Sequence, residues 1–147
     1  MLGNGKGPHI QLAAFCETVI EDRSGVLSLI RVIDQWTLSA QGPVVPEHLP
    51  SGQLGLTCVI TLKSGEARGR HKLELVPELP SGQRLDAIAT VPVNLEGGHR
   101  GNNLVMNLQY EVSQEGTHWF DVILNDNQLL TRMPLTVIYQ PIQTRSA

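Results

Sequence analysis

Five histidines, two cysteines and a handful of carboxylates are the residues of this 147-residue chain whose types could do chemistry. His9, His48, His71, His99 and His118 fall in separate segments, with no His-x-His or His-x-x-x-His pair to supply two metal ligands from one element. Strand parity points His71 inward, as a core-edge histidine with one satisfied nitrogen, and His118 could approach it only across paired strands. Cys16 and Cys58 both lie in strand-like runs, where cysteine acts as a small apolar residue, and two free thiols are expected. No Gly-x-Ser-x-Gly elbow is present, and neither cysteine opens a helix. The carboxylate pairs Asp34 with Glu17 and Asp121 with Glu111 fall where alternation gives solvated outer faces. Glu21, Asp22 and Asp126 are too few for a calcium site of converging loop carboxylates. These patterns point away from catalysis, and they imply no cofactor and no metal.

Three stretches could bind rather than react. Gly97-Gly98-His99-Arg100-Gly101-Asn102-Asn103 offers free amides beside an arginine, the makings of an anion nest. It lacks the Gly-Lys-Ser/Thr and the following helix of a phosphate loop, so it reads first as a strand connection. Arg68, Arg70 and Lys72 alternate along one outer face and could meet an acidic partner, although such a row also serves as a solvated, aggregation-blocking face. Trp36 and Trp119 could be exposed platforms for a ligand or members of a core.

The elements that must position these residues are strands. Apolar residues recur with period two between Gly, Pro, Asn and Ser, and almost nowhere with period 3.6. Eight strands are expected: 10–21, 26–38, 54–63, 68–76, 85–96, 103–112, 119–124 and 129–139. The clearest hairpin is the last, Trp119 to Leu124 and Leu129 to Tyr139 around the polar hinge Asn125-Asp126-Asn127-Gln128. Pro134 inside its second arm predicts an edge position or a bulge. Ser39 to Gln53, with Pro43, Pro46 and Pro50, predicts an extended crossover between sheets. The pentapeptide Leu-Pro-Ser-Gly-Gln stands at 49–53 and again at 79–83, and is read as shared turn chemistry rather than a repeat. The expected fold is all-β, an antiparallel two-sheet β-sandwich of about eight strands, immunoglobulin-like, with a jelly-roll or C2-like key as the alternative. Residues 10–140 would form it, between a flexible leader at 1–9 and a flexible tail at 141–147.

Composition narrows the partners. A hydrophobic share of 41% and a charged share of 17% are those of a globular chain with one core. A formal net charge of −3 argues against general affinity for nucleic acid or anionic lipid. No apolar run reaches membrane-spanning length, and no apolar stretch follows Lys6 as in a secretory signal, so a cytoplasmic setting is expected.

The stretch 14–38, AFCETVIEDRSGVLSLIRVIDQWTL, and the stretch 115–139, EGTHWFDVILNDNQLLTRMPLTVIY, resemble a bacterial family of uncharacterised small all-β domains. The closing match is carried by Glu115, Gly116, Trp119, Phe120, Leu130, Arg132, Pro134 and Leu135. The resemblance implies a β-sandwich in a bacterial cytoplasm and brings no activity with it.

The function expected from all this is a non-catalytic protein-interaction module that binds a protein partner or itself. Its candidate surface comprises Trp119, His118, Arg132, Pro134, Arg68, Arg70, Lys72, His99 and Arg100. One alternative is a small-ligand or carbohydrate-binding domain stacking its ligand on Trp36 or Trp119. Another is an enzyme using His71, His99 or His118.

Overall fold

The computed structural model describes residues 6–144. Its strands are β1 (His9–Glu21), β2 (Leu27–Ile33), β3 (Gln35–Gly42), β4 (Gly52–Glu78), β5 (Ala89–Val112), β6 (Gly116–Leu124) and β7 (Gln128–Gln143). They form one mixed sheet in the order β2-β1-β4-β6-β7-β3, with β5 on the other edge of β4. The all-β expectation stands. The two separate antiparallel sheets of eight strands do not: the described residues hold seven strands in one hydrogen-bonded sheet, and β3 runs parallel to β7.

The strand count differs because glycines that look like breaks are bends. The expected strands 54–63 and 68–76 are one strand, β4, and 103–112 joins most of 85–96 as β5. The two pair from Gly52↔Val112 to Leu75↔Ala89, with register shifts only around Gly65. The glycine-rich stretch 97–101 is therefore part of β5 and not a connection. Gly65, Gly97 and Gly98 take positive φ there, a conformation glycine adopts without steric cost. Gly101 is fixed by close approach, since a Cβ would stand 1.6 Å from the Leu62 carbonyl oxygen. Bulge and glycine together let a long hairpin bend without losing its ladder.

That bend closes the core. Phe15 on β1 pairs with Cys58, and Phe120 on β6 pairs with Pro77, both along β4. On a straight strand positions 58 and 77 would be roughly 60 Å apart, at about 3.3 Å per residue. The rings of Phe15 and Phe120 nevertheless meet edge-on, with centroids 4.9 Å apart. The sheet thus folds back on itself into two facing wings. The first is β2, β1, the start of β4 and the end of β5; the second is the remainder of the β4–β5 hairpin with β6, β7 and β3. Leu54, Leu56, Cys58, Ile60 and Leu62 from the first wing pack with Leu73, Phe120, Val122, Met133 and Leu135 from the second.

The chain changes wings over one residue. The expected strand 26–38 splits at Asp34: β2 ends paired with β1, and β3 starts as the parallel partner of Thr136. The Thr136 amide donates to the Asp34 carbonyl at 2.9 Å, which anchors the switch. β3 runs on to Gly42, so the crossover is shorter than expected, and the Tyr139 hydroxyl pins it through the Pro46 carbonyl at 2.7 Å. Pro134 pairs with Trp119, while β3 joins β7 only from Thr136. β7 is therefore an edge at its proline and interior beyond it, as a residue without an N–H donor requires. The strand reaches Gln143, taking in the first three residues of the expected tail, and β1 takes in His9 from the expected leader. Residues 1–5 and 145–147 of that leader and tail lie outside the described residues.

Candidate functional site

The final hairpin positions most of the expected surface. Its tip places Asn125 and Asp126 at φ 51° and 71°, the left-handed region that Asn and Asp tolerate better than other side chains. Asn125 then staples the tip to β4. Its amide donates to the Lys72 carbonyl at 2.8 Å, and its Oδ1 accepts from the Lys72 amide at 3.0 Å. Its side-chain amide meets His71 Nδ1 at 2.8 Å, while His71 Nε2 donates to the Arg68 carbonyl at 2.9 Å. His71 is thus a bracket at the strand border, with both ring nitrogens in use.

Alternation along β6 separates His118 from Trp119. Two neighbours on a strand cannot both face out, and the expectation that they did is corrected here. His118 is 0% exposed. Its Nε2–H donates to the Gln114 carbonyl at 2.8 Å, because a carbonyl can only accept, and Nδ1 accepts from the Tyr110 hydroxyl at 2.7 Å. Burial lowers the His118 pKa and outweighs the opposing bond to Gln114. The imidazole is a neutral clamp holding the β5–β6 turn against the core.

Trp119 does face outward, beside Arg132 and Pro134. The Arg132 guanidinium lies 4.9 Å from the centre of the indole ring. On the same face Asp121, 3% exposed, accepts from Arg132 Nε and from Arg84 Nη1, each at 2.6 Å. Glu78 completes a square, 2.9 Å from Arg132 and 3.9 Å from Arg84. Burial pushes the Asp121 carboxyl up, but bonds and charge from both arginines prevail and hold it below its ordinary value. Two carboxylates and two guanidiniums close on one another as a lock with no net charge. Sequence reasoning missed it because Arg84 arrives from the 79–88 turn, and because Asp121↔Arg132 pairing follows a register shift at Val122.

The basic row disperses. Lys72 bonds to Asp126 across strands and sits 3.5 Å from Glu74. Arg68 donates to the Glu96 carbonyl at 2.9 Å, and Arg100 pairs with the Glu96 carboxylate at 3.1 Å. Arg70 and His99 are exposed at the bend. His71, His99 and His118 do not converge. Cys16 and Cys58 are free and buried. Cys58 lines the core opposite Phe15, and burial pushes its thiol up to about 12. Trp36 lines a half-enclosed hollow of 310 Å³ with Leu38, Leu49 and Val112, at the mouth of the core between the wings.

Two surface features lay outside the expected set, and both belong to the β1–β2 hairpin. On one side Ile20, Ile30 and Val32 are 52%, 43% and 63% exposed. On the other, Leu27 and Leu29 line a hollow with Leu12 and Thr61. Exposed aliphatics in a short strand carry no sequence signature that separates them from core, which is why they were not singled out.

Among the described residues no helix is long and apolar enough to cross a membrane. By shape the chain is similar to part of a solved structure described as a β-glucosidase from Listeria innocua in complex with glucose. The match has a TM-score of 0.51 at 11% identity and covers 94% of this chain and 18% of that one. At that identity the likeness is one of fold alone, and this chain spans under a fifth of the enzyme's length. No curated protein matches by sequence. A family model matches residues 11–138, and the chain belongs to that family, the family of unknown function DUF6941.

Proposed function

We propose that this chain is a non-catalytic, cytoplasmic protein-interaction domain that associates with itself through the outward face of its β1–β2 hairpin. The observation that carries this reading is the row Ile20, Ile30 and Val32, exposed together at the end of the sheet. Antiparallel pairing of Thr18 with Ile30 and Cys16 with Val32 puts these side chains on one face, with Ser28 between them. Among the described residues β2 pairs only with β1, so its other edge is open there. The nearby charges, Arg31 and Glu17, already pair with each other at 3.1 Å. An uncharged aliphatic face can meet its own copy without like-charge repulsion, and gains about 25 cal/mol for each Å² of apolar surface buried. The folded-over sheet around one core supports an immunoglobulin-like sandwich as the scaffold for this contact.

Light scattering at increasing protein concentration tests the proposal. The mass of the native chain should grow above 16.1 kDa, and Val32→Lys should hold it there. A native chain that remains at monomer mass throughout removes self-association. The hollow beside Trp36 supports a second reading, small-ligand or carbohydrate binding. Titration with sugars should then move the Trp36 fluorescence, and an unchanged spectrum in a Trp119→Phe background dismisses it.

A further inference from the structure

The other side of the same hairpin carries an observation that self-association does not use. Leu12, Thr61 and Asn103 are direct partners across β1, β4 and β5, so they share one row on the outer face of the first wing. Lys63 follows two residues along β4 on the same side, opposite Gly101, which has no side chain to cover it. Leu27 and Leu29 overlie this row, and the space between is an open hollow of 460 Å³. That volume falls in the range of small-molecule sites, about 300–1,000 Å³.

Two of its polar groups have no partner among the described residues. Thr61 is 8% exposed, and its hydroxyl makes no hydrogen bond within the described residues. A buried hydroxyl left so costs about 1–3 kcal/mol, and native structures usually satisfy such groups. Lys63 is exposed, and its ammonium forms no ion pair among the described residues. The Lys63 ammonium, the Thr61 hydroxyl and the Asn103 amide thus stand in a hollow whose lining also includes Gln11 and Gly25, with Leu12, Val26, Leu27 and Leu29 as its aliphatic part.

We infer that this hollow binds a small amphiphilic organic acid, its carboxylate at Lys63, Thr61 and Asn103 and its hydrocarbon body against Leu12, Leu27 and Leu29. The carboxylate supplies what the polar end lacks, a negative charge for the ammonium and an acceptor for the hydroxyl. Leu12, Val26, Leu27 and Leu29 offer a hydrocarbon body apolar surface to bury against, which a fully polar anion such as phosphate could not use. The site is distinct from the self-association face, because Ile20, Ile30 and Val32 do not line it.

Hexanoate is the probe, with hexanol and hexylammonium as controls, followed by amide shifts in two-dimensional NMR of the whole chain. Hexanoate should move resonances of Leu12, Leu27, Thr61, Lys63 and Asn103, and bind about tenfold or more tightly than either control. Lys63→Met should remove that preference, and Thr61→Val should weaken binding about fivefold while the dispersed amide spectrum of the fold persists. Equal affinity for hexanol, shifts centred elsewhere, or unchanged hexanoate binding in both variants overturns the inference.

Discussion

The two wings of the sheet solve the same problem in opposite ways. Each has an inner face committed to the common core and an outer face left to manage. The second wing fills its outer face with charge that cancels: Asp121, Glu78, Arg84 and Arg132 close on one another, and Trp119 lies under Arg132. The first wing leaves Ile30 and Val32 in water and, among the described residues, the Thr61 hydroxyl without a partner. The β6–β7 hairpin, with three of the six aromatic residues, closes its outward charges on one another and on β4; the β1–β2 hairpin keeps aliphatic side chains exposed.

The largest effects should come from the core that joins the wings. Phe120 is 0% exposed and touches the rings of both Phe15 and Tyr110 at 4.9 Å. Phe120→Ala should cost about 4 kcal/mol in chemical denaturation, combining lost transfer energy with a residual cavity. Next comes the lock. Asp121→Ala leaves two guanidiniums facing one carboxylate and should cost about 2 kcal/mol, reduced from a fully buried value because both arginines are more than a third exposed. Arg84→Ala should then add little in the Asp121→Ala background. Full additivity of the two would show that the square is not a unit.

His118 gives the second wing a pH signature. Its folded pKa is lowered from 6.5, so the folded state holds fewer protons than the unfolded chain below that pH. Its contribution is complete above about 6.5 and is lost as pH falls towards the folded value. Asp121, also lowered, adds a separate loss below its ordinary value of 3.8. Melting temperature should therefore fall between pH 6.5 and 5 in the native chain and much less in His118→Gln. An unchanged slope in the variant would place the titration on another histidine.

Much of the fold is legible in the sequence, because period-two alternation survives wherever a strand has one wet face. Leu54 through Leu62 and Phe120 through Leu124 are inward as alternation requires. The continuity of β4 and β5 is not legible, since a glycine that ends a strand and one that bends it look alike until the partner strand is known. Parity already forbids His118 and Trp119 from sharing a face, so alternation alone places only one of the two on the surface. The lock at Asp121 was hidden for a different reason. It unites positions 78, 84, 121 and 132 through three strands and a turn, and no local pattern encodes such a meeting. The hollow at Thr61 is hidden too, because threonine outward on a strand is ordinarily a residue with water for a partner.

The smallest effect sharpens the contrast most. Removing a polar group from the lock should destabilise the chain; removing one from the hollow should not. Valine matches the shape of threonine, keeps the β-branched preference for a strand and takes away a hydroxyl that nothing in the described structure satisfies. Thr61→Val should therefore leave ligand-free stability unchanged or raise it by about 1 kcal/mol, measured by denaturant midpoint at constant slope. A loss of stability similar to that of Asp121→Ala would mean the hydroxyl is already satisfied, and the two wings would no longer differ. An equal or higher midpoint identifies Thr61 as a residue whose polarity serves something other than the fold.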